Sequence, residues 1–176
     1  TVGTGKTVTA LGLGLTGAQA LNYVLSAVSA TDLADITAKT VTPAVVANNK
    51  VYDGNTNATL SSLTLTGVVS PDVVTLTNSA AGFASATVGT GKTVTAIGLG
   101  LSGAQALNYT LSAVSATDLA DITAKSVTPA VVANNKVYDG NTNATLSSLT
   151  LTGVVSPDVV TLTNSAAGFA SATVGT

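Results

Sequence analysis

The chain contains no cysteine, histidine, methionine, tryptophan, arginine or glutamate. Without cysteine, neither disulfide bonds nor thiolate metal sites can stabilise it, so its stability must come from packing and backbone pairing. The missing histidine and cysteine also remove the usual general base near neutral pH, the best nucleophile and the usual zinc ligands. We therefore expect a protein that is not an enzyme and that holds no organic cofactor.

Charge is also scarce, because charged residues make up only 8% of the chain and the net charge is -2. The six lysines form no basic stripe that could follow a phosphate backbone, so nucleic-acid binding is not expected. No apolar run approaches the roughly 18 residues that a membrane span needs. The hydrophobic share of 45% instead predicts buried cores, and we expect targeting signals to lie outside this segment.

What the chain does contain is a repeat. Residues 1–86 return as residues 87–172 with four conservative differences, and residues 173–176 begin a third copy. A solenoid coil repeats every roughly 20 to 50 residues, whereas a period of 86 suits one small domain per repeat. The repeat therefore predicts an array of modules whose purpose is length.

Each repeat has the pattern of β-strands, since Thr, Val, Ser, Leu and Ala alternate over short spans that Gly, Asp, Asn and Pro interrupt. About seven strands per repeat predict an all-β protein of tandem Ig-like β-sandwich modules arranged end to end. The candidate strands are Val41 to Val46, Lys50 to Tyr52, Leu60 to Thr66, Val73 to Thr77, Phe83 to Ala86, Lys92 to Leu101, Asn108 to Val114 and Leu119 to Thr123.

The finer expectations concern two candidate strands, beginning with the one from Lys92 to Leu101. Its apolar residues change phase near Gly98, which one extra residue in a β-bulge would explain. Ile97, and its counterpart Leu11 in the first copy, should then be buried. At position 110, where the copies carry Val24 and Thr110, the side chain should point outward, because Tyr109 and its alternate neighbours form the buried face.

The module boundary is expected in the segments 38–43 and 124–129, where proline stiffens a short connection and ends strand pairing. Residues 40–125 would then form one complete repeat. Residues 1–39 would be the C-terminal half of a preceding repeat, and residues 126–176 the N-terminal half of the following one. An alternative frame of 1–86 and 87–172 cuts inside the strand pattern.

An ordered series of motifs resembles the YDG repeat and its MBG-like relatives. The motifs are Lys50 to Thr56, Leu63 to Val69, Val88 to Val94, Leu101 to Gly103, Asn108 to Leu111 and Ala120 to Thr123. The resemblance implies tandem β-rich modules of large, secreted, filamentous-haemagglutinin-like bacterial adhesins. It implies an extracellular stalk at the cell surface whose partners are neighbouring repeats of the same chain. The alternative is a subunit of a self-assembling extracellular filament, in which half-repeats exchange strands and associate into fibres.

Asp53, Asn55 and Asn57 are alternating oxygen donors that could begin a calcium loop. The following glycine is misplaced and no glutamate closes the site, so a polar turn with side-chain-to-backbone bonds explains the same residues. A shared site of Asp72, Asp118 and Asp121 would require the fold to bring them together.

A covalent alternative is an isopeptide cross-link, as in some Ig-like bacterial stalks. Lys50, Lys92 or Lys125 would be the amine, and Asn108 is an example of the amide partner. No motif or spacing selects one pair, and solvated lysines are the usual case.

Overall fold

The computed structural model describes residues 1–174, and nearly all of its regular structure is β-strand. The strands are β1 (Gly3–Leu11), β2 (Ser29–Ile36), β3 (Lys39–Ala47), β4 (Lys50–Val51), β5 (Leu60–Thr66), β6 (Thr75–Thr77), β7 (Ala80–Phe83), β8 (Gly89–Ile97), β9 (Gly100–Ser102), β10 (Tyr109–Leu111), β11 (Ser115–Thr123), β12 (Thr128–Ala133) and β13 (Leu146–Thr152). Two short 3-10 turns, Ala20–Asn22 and Ala106–Asn108, accompany them. The all-β prediction is confirmed.

Nine of these strands, β3 to β11, lie between residues 39 and 123. They form a three-stranded sheet in the order β10-β3-β5, a four-stranded sheet in the order β4-β11-β8-β7, and the pair β6-β9. Strand β3 is antiparallel to β5 but parallel to β10, and β4 is parallel to β11. The remaining strands form the antiparallel pairs β1-β2 and β12-β13.

The predicted strand from Lys92 to Leu101 is in fact two strands. Strand β8 ends at Ile97, and β9 begins at Gly100 and pairs in another sheet. Between them, Gly98 has a φ of 61°, in the left-handed region that favours glycine, and a methyl group there would clash with Ser79. The phase change therefore marks a passage between sheets, so the prediction of a bulge within one strand was wrong.

The predicted burial of Ile97 and Leu11 was also wrong, since Ile97 is 51% exposed and Leu11 is 78% exposed. Strand β8 directs Val94 and Ala96 inward, so the next residue, Ile97, points outward. The prediction for position 110 is confirmed, because Thr110 is exposed beside buried Tyr109.

The expected linker at residues 38–43 begins strand β3 instead. Pro43 pairs opposite Leu65 of β5, so proline does not end the ladder as expected. On the other edge of β3, the parallel strand β10 pairs only with residues 39–41. Pro43 therefore has no partner on that edge to which a backbone N–H would have to donate.

The hydrophobic core is confined to one span of the chain. In the described range, every buried hydrophobic residue lies between Val41 and Ile122. The central cluster consists of Val45, Leu76, Ala96 and Leu99, and half-buried side chains from β5, β7, β10 and β11 pack against it. These side chains come from strands of both larger sheets and from the pair β6-β9.

Identical residues one repeat away are not buried. Val94 is fully buried whereas Val8 is 54% exposed, and Ile122 is 1% exposed whereas Ile36 is 51% exposed. Tyr109 and Tyr23 differ in the same way, with exposures of 8% and 70%. The neighbouring residues are the same around the valine pair and the isoleucine pair, and around the tyrosines they differ only at Val24 and Thr110, so burial depends on the partner strands that surround the copy.

By Cα proximity the chain divides into two compact units. The first comprises Thr1–Asn48, Ala58–Gly82 and Thr93–Leu119, and the second comprises Asn49–Asn57, Phe83–Lys92 and the chain from Ala120 onward. The division into residues 1–39, 40–125 and 126–176 stays a prediction.

Candidate functional site: the lysine-centred loops

The loop Lys50–Asn57, here called the Lys50 loop, is organised around one ammonium group. Lys50 Nζ lies 2.7 Å from Asp53 Oδ1 and donates to the Asn55 carbonyl at 2.8 Å and to the Asn57 carbonyl at 3.0 Å. It also contacts Asn55 Oδ1 at 3.1 Å and lies 5.6 Å from the ring centroid of Phe83. The ammonium thus combines an ion pair, carbonyl acceptors and a cation–π contact.

Side chains in the same loop bond to nearby backbone amides. The Asn55 amide donates to Asp53 Oδ1 at 3.1 Å, and the Asn57 amide donates to Asn55 Oδ1 at 2.8 Å. Gly54, between them, has a φ of 80°. The polar turn with side-chain-to-backbone bonds is therefore confirmed.

The same network forms again in the loop Lys136–Asn143, here called the Lys136 loop. Lys136 Nζ lies 2.6 Å from Asp139 Oδ1 and donates to the carbonyls of Asn141 at 2.8 Å and Asn143 at 3.1 Å. Its ammonium lies 5.8 Å from the Phe169 ring centroid. Strand β4 has no assigned counterpart at residues 136–137, so the local sequence suffices to build the network.

The charges of the loop reinforce each other. The pKa of Asp53 is lowered, first because Lys50 donates a hydrogen bond to its carboxylate and next because the Asn55 amide does so. The pKa of Asp139 is lowered by the same two kinds of contact, from Lys136 and Asn141. The carboxylate form of each aspartate is thereby favoured in the folded loop.

The three calcium candidates, Asp53, Asn55 and Asn57, do lie together, but their oxygens surround the lysine ammonium. A calcium ion binding to these oxygens would have to displace Lys50 from the Asp53 carboxylate and from two carbonyl groups. Calcium binding here stays a prediction. Lys50 was considered from the sequence only as a cross-link amine and not as the centre of this loop, although its position three residues before Asp53, repeated as Lys136 and Asp139, was a usable signal.

The other aspartates each bind a different protein group. Asp118 accepts the Ala47 amide at 2.8 Å, which is the first cause of its lowered pKa. Asp121 accepts the Gly91 amide at 2.8 Å, and Asp72 accepts the Tyr109 hydroxyl at 2.6 Å. Within residues 1–174, no three acidic side chains form a group that could hold a metal ion, so the condition for a shared site is not met.

Two residues considered for a covalent cross-link bind elsewhere. Lys92 Nζ donates to Ser85 Oγ at 2.7 Å and to Thr87 Oγ1 at 3.2 Å. Asn108 Oδ1 accepts the Val2 amide at 3.1 Å. These contacts do not select a lysine and an asparagine as a cross-linked pair, so the cross-link hypothesis stays a prediction.

Strand β11 covers the Lys50 loop. Ile122 is the partner of Lys50 in the parallel ladder, and the Tyr52 amide donates to the Thr123 carbonyl at 2.8 Å. The Asp121 amide donates to Asn49 Oδ1 at 2.7 Å. These contacts join the Lys50 loop to strand β11.

The Lys136 loop borders a cavity of about 370 Å³ instead. Lys136, Tyr138, Phe169 and Val174 are among its lining residues. Their counterparts Lys50 and Phe83 are covered, and Phe83 is only 4% exposed whereas Phe169 is 41% exposed. The cavity lies on the side of the Lys136 loop that corresponds to the side of the Lys50 loop paired with β11.

These features define a class of protein: an all-β repeat protein in which each copy carries a lysine-centred polar loop. No helix among the described residues has the length and apolar character to cross a membrane. The YDG domain family matches residues 37–117 and 123–176, so the chain belongs to this family. No curated protein and no solved structure matches the chain.

Proposed function

We propose that this chain is a structural stalk segment of a giant bacterial extracellular adhesin, which extends a distal binding region from the cell surface. One observation carries the proposal: an 86-residue unit returns almost unchanged, with only four differences between residues 1–86 and 87–172. A protein that multiplies such a unit gains distance with each copy, whereas a catalytic or ligand site is usually needed once.

We propose further that residues 40–125 fold as one Ig-like β-sandwich. The support is that the core cluster takes side chains from β3 and β5 on one side and from β7, β8 and β11 on the other. Two sheets that share inward-facing residues in this way form the layers of a sandwich. Neighbouring repeats would then follow one another as separate modules.

The proposal is tested by chains that carry one, two and four additional copies of residues 40–125. The nine residues of β8, at about 3.3 Å each, correspond to about 30 Å. The maximal dimension from small-angle X-ray scattering should therefore rise by a constant step of at least this order per copy. A dimension that grows with only the cube root of mass would contradict an extended stalk.

Surface location needs a separate experiment. Antibodies against the repeat should label intact, unpermeabilised bacteria that express the whole protein. Labelling that appears only after permeabilisation would contradict the extracellular part of the proposal, whatever the scattering shows.

The second candidate function is a subunit of an extracellular filament that assembles by strand exchange. The observation in its favour is that the Lys136 loop has an open side where the Lys50 loop has β11, while Ile36 of the identical strand β2 is 51% exposed. Strand β2 of a second copy would fill that side. Light scattering over a concentration series separates the candidates, because constant mass favours the stalk and growth into fibres favours assembly.

A further inference from the structure

The turn at Tyr52 to Gly54 contacts a residue of the following repeat. The Tyr52 hydroxyl donates to Asp158 Oδ2 at 2.6 Å, over a separation of 106 residues along the chain. Asp158 ends the turn that begins at Ser156. Its backbone amide donates to the Val155 carbonyl at 2.8 Å. Next to this bond, a methyl group at Gly54 would lie 3.0 Å from Val155 Cγ1.

We propose that this Tyr-Asp-Gly turn is the contact by which one repeat holds the next. Tyr52 supplies a directed hydrogen bond, Asp53 fixes the turn through Lys50, and Gly54 allows the close approach of Val155. The segment Asn49–Asn57 accordingly belongs to the same compact unit as residues 126–174. The inference goes beyond the proposed function, since it holds for a stalk and for a filament alike.

Identical residues elsewhere in the chain provide an internal comparison. Tyr52 is half-buried, whereas its counterpart Tyr138 is 66% exposed. Gly140 has nearly the same φ as Gly54, 78° against 80°, yet a methyl group at Gly140 would meet nothing within 4 Å. The residue that would correspond to Asp158 for Tyr138 is the one 106 residues further along the repeat array.

The partner side shows the same difference. Val155 is half-buried, whereas its counterpart Val69 is 48% exposed. The covered members of both pairs, Tyr52 and Val155, are thus the ones that meet across a repeat boundary. Their sequence surroundings match those of the exposed members, so the contact itself accounts for the burial.

The bond is of the charge-assisted type, because a hydroxyl donates to a carboxylate oxygen. The pKa of Tyr52 is raised, first by the hydrogen bond to Asp158, and the nearby charge of Asp53 acts in the same direction. The tyrosine therefore remains a donor throughout the neutral range.

The aspartate can serve two tyrosines. In the complete repeat, Asp72 accepts the hydroxyl of Tyr109 at 2.6 Å through Oδ2. A carboxylate has two oxygens with about four lone-pair sites, so it can accept a second hydroxyl, from the tyrosine of a preceding repeat. The junction therefore does not require Asp158 to give up the tyrosine of its own repeat.

The test compares Tyr52→Phe with Tyr138→Phe, the same substitution in an identical local sequence. Since the chain has no cysteine, spin labels can be attached at Thr90→Cys and Thr152→Cys, both exposed and both in the compact unit that contains the contact, and the distance between them measured by pulsed electron resonance. Tyr52→Phe should broaden the distance distribution, and Tyr138→Phe should leave it unchanged. Equal distributions for both variants would overturn the proposal.

A second comparison uses Gly54→Ala and Gly140→Ala. Both place alanine at nearly the same positive φ, so their backbone strain is equal, and only Gly54→Ala pushes against Val155. We expect a shifted label distance for Gly54→Ala alone. Shifts of equal size would show that turn strain and not the repeat contact controls the distance, and would contradict the proposal.

The last experiment lengthens the chain by one more repeat, which supplies Asp158 with the counterpart of Tyr109. Tyr52→Phe should still broaden the distribution in this longer chain. Loss of the effect there would show that Tyr52 merely substitutes for the missing tyrosine, and would overturn the proposal. Failure of the extended-stalk scattering test would leave this result unaffected.

Discussion

Replacing Val94 by alanine should destabilise the protein far more than replacing Val8, although the residues 1–10 and 87–96 that surround them are identical. Val94 is fully buried in β8, whereas Val8 is 54% exposed in β1. Removing two buried methyl groups costs about 1.6 kcal/mol at about 0.8 kcal/mol each. Val94 lies beside Ala96 of the core, so a cavity remains and raises the loss to about 2–3 kcal/mol.

At Val8, less than half of the side chain is covered and no enclosed cavity can form, so the loss should stay below about 0.8 kcal/mol. Urea unfolding followed by circular dichroism and by tyrosine fluorescence measures both values. The chain contains four tyrosines, and Tyr109 lies in the same core as Val94. Similar losses for the two variants would refute the conclusion that the burial of this valine depends on the partner strands around its copy.

Three further predictions concern the loops. Lys50→Met should speed amide hydrogen exchange at residues 53–57, because it removes the ammonium that binds oxygens of Asp53, Asn55 and Asn57. The substitution also changes the mass of this peptide, which distinguishes it from the identical sequence of the Lys136 loop. Lys125→Met is the control, and exchange that stays unchanged in Lys50→Met as in the control would contradict the role of Lys50. Because the pKa of Asp53 is lowered in the folded protein, its carboxylate contributes to stability fully above the ordinary aspartate pKa of 3.8, and this contribution is lost as the pH falls through the pKa of the folded state. An NMR titration of the Asp53 carboxyl carbon with a midpoint at 3.8 or higher would disagree. A peptide with the sequence of Ser115–Thr123 should bind the open side of the Lys136 loop, and a peptide with aspartate in place of Ile122 should not; equal binding of the two would argue against strand complementation.

Much of the fold follows from local pattern. Strand β5 has the predicted bounds, Leu60–Thr66, because the segment consists of leucine, serine and threonine, alternates from Leu63 onward and is followed by Gly67. The outward direction of Thr110 follows from the same period of two. Family membership was likewise predicted from the order of short motifs.

Other features depend on partners that are distant in sequence. Ile97 is exposed because the chain passes to another sheet at Gly98. In the sequence, this passage gives the same phase change of apolar residues as a bulge within one strand.

The site was predicted in part. The cluster of Asp53, Asn55 and Asn57 and its side-chain-to-backbone bonds were expected from turn chemistry. The central ammonium was missed because a lysine is usually solvated. The bond from Tyr52 to Asp158 spans 106 residues and has no local signal at all.

The most direct test of the account compares two fragments of equal length, residues 40–125 and residues 1–86. They share nearly the same composition and differ in where the repeat is cut. We predict that residues 40–125 unfold in one cooperative transition, since they contain every buried hydrophobic residue described, whereas residues 1–86 show none or a much weaker one. Cooperative unfolding of residues 1–86 with the same midpoint, or none for residues 40–125, would contradict the account.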